Sequence, residues 1–221
     1  MKKYDIFEIM GPIMVGPSSS HTAGAARIGK MARIIYDSDI TDVEFQLHGS
    51  FQTTYQGHGS DRALVGGVMG MDPDDERLVN SLALATEMGI NYNFTLADLG
   101  FVHPNTVKVV FTDRETKSDF FITGSSIGGG KIEIIDINGI HVKFTGEYPT
   151  LVAEYNDKFG MIAEISTVLT RNFISIASLR VTRDESIAQM VMELDQPYND
   201  DVINSIKAIP EIRHILGIKP L

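Results

Sequence analysis

Cysteine is absent from all 221 residues of this chain. That absence excludes disulfides, a cysteine nucleophile, thiolate zinc sites and an iron–sulfur cluster held by this chain. Tryptophan is absent too, which excludes no chemistry. No apolar run is long enough to span a bilayer, and the opening Met1-Lys2-Lys3-Tyr4-Asp5 lacks the apolar core of a signal peptide, so a cytoplasmic location is expected. A basic excess is also missing. Lys and Arg number 19 against 29 Asp and Glu, a net charge of −10 spread along the chain. Nucleic acid and anionic membranes call for basic patches and are excluded as main partners. What is present is ordinary for a globular protein, 43% apolar and 22% charged, with room for one large domain or two small ones.

Against that background one stretch stands out. Gly16-Pro17-Ser18-Ser19-Ser20-His21-Thr22 places four hydroxyls and an imidazole where a helix is expected to begin. From Ala23 to Tyr36 the small and apolar residues Ala25, Ile28, Ala32 and Ile35 recur at helical spacing. The first turn of a helix has unpaired N–H groups and a partial positive charge, a natural seat for a carboxylate or phosphate. A simple N-cap needs one hydroxyl, and this stretch offers four.

The pattern of the chain divides it into residues 1–147 and 148–221. In the first part the spacing predicts a helix over 22–36, a strand over 42–48, a Gly-rich connection, a helix from Ser60 or Asp61 toward Met69, and a helix over 74–88. Strands follow over 91–97, 106–112, 117–123, 131–137 and 140–144. Helices first and a meander of strands later indicate α+β architecture. The second part reads as strand 150–155, helix 161–170, strand 174–182 with one irregular step, strand 187–194, helix 200–208 and strand 212–218. That order is the ferredoxin-like βαββαβ arrangement, and its small size favours pairing with another copy or chain.

Other loops carry candidate chemistry. Gly57-His58-Gly59-Ser60-Asp61 sets an imidazole between residues that permit unusual backbone angles, where it can serve as a general base. Asp61 can orient that ring or merely cap the next helix. His103-Pro104-Asn105-Thr106 forms a rigid corner before a strand. Ser125-Ser126-Ile127-Gly128-Gly129-Gly130-Lys131 leads into a strand rather than a helix, so it is a hairpin and not a phosphate loop. That context also weighs against Lys131 as a pyridoxal phosphate lysine. Arg27, Lys30 and Arg33 are expected on a solvated helix face, and the acidic run from Asp72 to Glu76 as a turn and helix start with no metal.

On Gly16–Gly24, Gly49-Ser50-Phe51, Gly57–Asp61, His103–Thr106 and Ser126–Gly130, the chain resembles the β subunit of the iron–sulfur-dependent L-serine dehydratases. Its second part resembles an ACT domain. The first part is also similar to the allosteric substrate-binding domain of some D-3-phosphoglycerate dehydrogenases. The resemblance implies conversion of L-serine to pyruvate and ammonia without pyridoxal phosphate. It further implies a [4Fe-4S] cluster on a cysteine-bearing α subunit, which acts as the Lewis acid on the substrate hydroxyl, and a monovalent cation as a further candidate cofactor. On this reading Ser18, Ser19, Ser20 and Thr22 cradle the substrate carboxylate. His58 is the preferred base and His21 orients substrate, with Asn105, His103 and Asp61 in supporting places. Asp157 and Gly160 suit an amino-acid site between paired ACT domains.

A different class of function remains open at this point: a non-catalytic subunit that binds serine at the Ser-rich stretch. A stand-alone serine hydrolase does not fit, since no Gly-x-Ser-x-Gly elbow precedes a helix and no third residue is evident.

Overall fold

The computed structural model describes residues 12–221, so the opening stretch 1–5 lies outside the described residues. The chain divides after Thr145 into two compact units. No described helix is long and apolar enough to cross a membrane.

In the first unit a single π-helical turn, Ser19–Ala23, runs directly into α1, Gly24–Tyr36. The predicted helix thus begins three residues early, with the wider turn lying over the hydroxyl-rich stretch. Ala25, Ile28, Ala32 and Ile35 are all buried, as their spacing requires. Strand β1, Asp42–Leu47, alternates buried and half-buried residues. The expected Gly-rich connection contains a short helix, α2, Ser50–Thr54. Next comes α3, Ser60–Val68. The single helix predicted over 74–88 is instead a 3-10 turn, Glu76–Asn80, followed by α4, Ser81–Glu87. Asp75 caps that turn by accepting the Arg77 N–H, which diverts the chain from a continuous helix.

Five strands complete the sheet: β2 (Asn91–Leu96), β3 (Thr106–Thr112), β4 (Asp119–Gly128), β5 (Lys131–Ile137) and β6 (Ile140–Phe144). Their order is β2-β1-β3-β4-β5-β6. From β3 onward the strands form the expected antiparallel meander. The exception is β2, which pairs parallel to β1 at the edge, because the helices between them carry the chain back across the sheet. Strand β4 runs five residues beyond the predicted end, through Ser125 and Ser126, to the glycine turn.

Helix α1 packs on β3, β4 and β5, and α3 packs on α1. Their backbones nearly touch. A Cβ on Gly67 would stand 2.2 Å from the Ala26 carbonyl oxygen, and one on Gly29 would stand 2.5 Å from that of Leu64. The starts of the two helical segments are joined by the Thr22 hydroxyl, which donates to the His58 carbonyl at 2.9 Å. Arg27 and Lys30 are not simply solvated: Arg27 Nη1 donates to the Gly130 carbonyl at 2.8 Å, and Lys30 pairs with Asp72 at 2.5 Å.

The second unit holds β7 (Thr150–Asn156), α5 (Met161–Arg171), β8 (Ile176–Asp184), β9 (Ile187–Leu194), α6 (Asp200–Lys207) and β10 (Ile212–Ile218). The sheet order β10-β7-β9-β8, antiparallel throughout, is the ferredoxin-like one. Its core includes Leu151, Tyr155, Ile165, Leu169, Met190 and Ile206. The expected irregular step is a register shift between Ile176 and Ser178. Strand β8 starts two residues late because Phe173 takes a left-handed backbone (φ 58°) and the Ile174 N–H returns to the Leu169 carbonyl, closing α5.

Candidate active site

Four loops meet at one end of the first unit's sheet. The π-turn presents Ser18, Ser20 and His21; the β1–α2 corner presents Ser50; the α2–α3 loop presents His58; and the corner before β3 presents His103 and Asn105. Glycine makes the second of these possible. Gly49 has φ 58°, and a Cβ there would lie 2.5 Å from the Pro104 carbonyl oxygen. The Ser50 N–H donates to that same oxygen at 2.8 Å, joining the β1–α2 and pre-β3 corners.

His21 is held at both ring nitrogens. Its Nδ1 is 3.1 Å from Ser20 Oγ and 3.3 Å from Ser18 Oγ, and its Nε2 is 3.0 Å from Ser50 Oγ. Ser18 also caps the π-turn by accepting the His21 N–H at 3.2 Å. The buried Phe51 ring meets the imidazole edge-on at 5.4 Å. Burial, and then the neighbouring charge of His58, push the His21 pKa below its usual value. His21 is thus a neutral, oriented ring at neutral pH.

His58 stands 4.8 Å from His21, ring centre to ring centre. Its backbone is well fixed: the N–H donates to the Thr54 carbonyl, and the carbonyl accepts the Thr22 hydroxyl at 2.9 Å. Its Nδ1, by contrast, is buried and has no hydrogen-bond partner. An imidazole nitrogen in that condition is expensive unless something binds it. His58 is one of the residues that line a cavity of about 180 Å³, with Gly16, Pro17, Thr22, Arg62 and Val79 among others. That is smaller than the pockets that take drug-sized ligands.

The remaining expected residues fall differently. Thr22 is only 3% exposed and its hydroxyl is committed to the His58 carbonyl, so it positions His58 and offers no free donor to a ligand. Ser19 contributes its carbonyl, which accepts the Gly24 N–H across the π-turn. Asp61 accepts the Arg62 N–H at 2.8 Å at the start of α3, which makes it a helix-start group rather than an orienter of His58; burial raises its pKa. His103 is exposed, and its Nδ1 accepts the Asn105 N–H at 3.1 Å, so it stabilises its own corner. Asn105 is half-buried, and its carbonyl accepts the Ser126 N–H at 2.8 Å.

Two residues escaped the sequence reading of roles. Ser50 carries the only signal it could give, a hydroxyl right after Gly49 in a Gly-Ser-Phe corner. Arg62, the one Lys or Arg lining the cavity among the described residues, looks like any exposed helix cation in sequence. Among the described residues no group of three or more His, Asp or Glu is placed to hold a metal ion. The sequence has no cysteine, the residue that ordinarily ligates a [4Fe-4S] cluster.

The family model described as serine dehydratase beta chain matches residues 4–135, which include every loop of the site. The L-serine dehydratase beta chain of Peptoniphilus asaccharolyticus is 46% identical over 95% of both chains. The probable L-serine dehydratase beta chain of Bacillus subtilis is 40% identical over 99% of both. A D-3-phosphoglycerate dehydrogenase of Bacillus subtilis is 26% identical over 85% of this chain and 36% of its own length. The chain therefore belongs to the serine dehydratase beta chain family.

Proposed function

We propose that this chain is the proton-removing, substrate-holding half of a cytoplasmic L-serine dehydratase that converts L-serine to pyruvate and ammonia. The observation that carries this reading is the contrast at the site: His21 is engaged at both nitrogens, whereas the buried His58 Nδ1 has no partner and His58 is one of the residues that line a small cavity. A ring nitrogen without a partner is available to act as a general base.

On this reading the serine carboxylate sits against Arg62 and the hydroxyls of Ser18 and Ser20, and His58 takes the proton from the α-carbon. Loss of that proton and of the β-hydroxyl gives the enamine of pyruvate, which tautomerises and loses ammonia to water. A partner's cluster would supply a Lewis acid for the departing hydroxyl. This chain has no residues to hold that cluster, so it is assigned to a cysteine-bearing α subunit. His21, kept neutral, presents the Ser18 and Ser20 hydroxyls in fixed orientation. The second unit is proposed to pair with a second copy. The support is its exposed Phe159 beside the left-handed Gly160 (φ 93°) at the open start of α5.

The test is anaerobic pyruvate formation from L-serine by this chain, by a cysteine-bearing companion chain of the same organism, and by the two mixed. Activity in the mixture alone is expected. A companion fully active by itself would make this chain a regulatory subunit and remove His58 from catalysis.

A further inference from the structure

Three buried side-chain polar atoms lack a hydrogen-bond partner among the described residues: His58 Nδ1, Ser60 Oγ and Ser126 Oγ. The first two lie two residues apart, in the loop of the proposed base and the start of α3. The third belongs to another element, near the end of β4, and no role has yet been given to it. Ser126 is wholly buried. Its neighbour Ser125 is buried too, but that hydroxyl is spent on Thr106 Oγ1 at 2.7 Å. A buried hydroxyl without a partner is a cost to stability that alanine would remove.

What Ser126 touches gives it a role. Its side chain lies directly against Gly24: a Cβ there would stand 2.1 Å from Ser126 Oγ and 2.6 Å from Ser126 Cβ. Gly24 is the residue whose N–H reaches back to the Ser19 carbonyl and closes the π-turn. Such wide turns are rare and frequently mark functional sites. The backbone of Ser126 is fixed as well. Its N–H donates to the Asn105 carbonyl at 2.8 Å, and just past it the pairing with β5 slips by one residue, from Ser126–Ile132 to Gly128–Lys131.

These contacts close a circuit through the loops of the site. His21 Nε2 meets Ser50 Oγ at 3.0 Å, and the Ser50 N–H donates to the Pro104 carbonyl at 2.8 Å. The next carbonyl, that of Asn105, accepts from Ser126, and Ser126 returns to the π-turn at Gly24, three residues after His21. Gly24 has no side chain to fill the space, so without the Ser126 hydroxyl the turn loses its support there. We infer that Ser126 is a positioning residue for His21 and for the Ser18 and Ser20 hydroxyls, acting through Gly24 on the π-turn. That these groups serve L-serine rests on the proposed function.

Ser126→Ala is compared with the parent in three measurements. Denaturant unfolding should give a midpoint equal to or above the parent's, because the change removes an unpaired buried hydroxyl. NMR of the histidine-labelled full chain should show the His21 ring signals shifted and those of His214, in the second unit, unmoved. In the mixture with the companion chain, kcat/KM for pyruvate formation should fall about tenfold or more, toward the hundredfold that a misplacement of ~1 Å can cost. A pair of substitutions tests the contact itself. Gly24→Ala alone should lose activity, and Gly24→Ala with Ser126→Gly, which makes room for the new Cβ, should recover most of it. Unmoved His21 signals or an unchanged kcat/KM in Ser126→Ala would overturn the inference. So would a lowered midpoint that matches the loss of activity, which would make Ser126 a residue of general stability. Failure of a folded double variant to recover would overturn it too, by assigning the hydroxyl to the substrate itself. If the parent mixture makes no pyruvate, the proposed function falls, and the His21 signals still decide whether Ser126 positions that ring.

Discussion

His21 and His58 lie with ring centres 4.8 Å apart and planes tilted by 60°, yet their nitrogens are in opposite circumstances. One ring is bound on both sides by serine hydroxyls; the other keeps a buried nitrogen unpaired. On the proposed function these two adjacent histidines divide into an orienting group and a reactive one.

That division predicts unequal losses. His58→Ala in the assembled complex should lower kcat by about two to four orders of magnitude, the range for removal of an acid–base group. His21→Asn keeps a short polar side chain and should cost less, with more of its effect in KM. Steady-state kinetics under anaerobic conditions separate the two. Near-normal turnover in folded His58→Ala would remove the base assignment.

Ser50→Ala should behave as the loss of a positioning residue. It frees His21 Nε2, 3.0 Å away, and touches nothing else of the site directly. Losing one such hydrogen bond destabilises by about 0.5–1.5 kcal/mol. Turnover should fall while affinity for the companion chain is unchanged, and Ser50→Thr, which restores a hydroxyl, should recover most of it. An unaltered kcat in Ser50→Ala would show that His21 needs no support from this corner.

Much of this was legible in the chain. The boundaries of β3, β5, β6, β9 and β10 follow from alternation and turn residues, since a strand with one buried face shows its period directly. The acidic residues from Asp72 to Glu76 suggest the start of a long helix, but Asp75 caps a 3-10 turn and the helix proper waits until Ser81. The parallel placement of β2 was hidden because pairing depends on the path of the intervening helices and not on the strand itself. At the site, the Ser-rich stretch and His58 stand out by composition. What composition cannot show is which hydroxyls are already used. Thr22 looks identical to Ser20 in sequence, and only burial and the His58 carbonyl make it a structural group.

The two glycines that flank His58 should differ in the same way. Gly59 has φ 69°, and nothing lies within 4 Å of a Cβ built there, so Gly59→Ala meets only backbone strain of roughly 1–2 kcal/mol. That strain acts on the loop carrying His58, and turnover should fall with stability. Gly57 has no positive φ, and its Cβ would meet only the Thr54 carbonyl at 3.8 Å. Gly57→Ala should therefore be neutral or slightly stabilising through the unfolded chain. Denaturant unfolding and activity on both variants check the contrast, and equal effects would mean that ligand approach, not backbone angle, requires glycine at residue 57.

The lowered pKa of His21 sets a direction for acid sensitivity. Burial and the charge of His58 both disfavour its protonated form, so the folded protein binds fewer protons at this ring than the unfolded chain does. The stability this contributes is fully present above the unfolded value of about 6.5 and is lost as pH falls through the folded-state value. The slope should stay well under the ~1.4 kcal/mol per pH unit of one fully coupled proton, because a half-exposed ring is screened. His21→Gln should flatten this part of the stability profile between pH 7 and 5. His58→Ala removes the second cause and leaves the first, so the His21 resonance should titrate at a higher pH than in the parent while remaining below that of a free imidazole. Proton NMR of the parent and His58→Ala chains measures this directly, and an unmoved His21 titration would show that the two rings do not sense each other's charge.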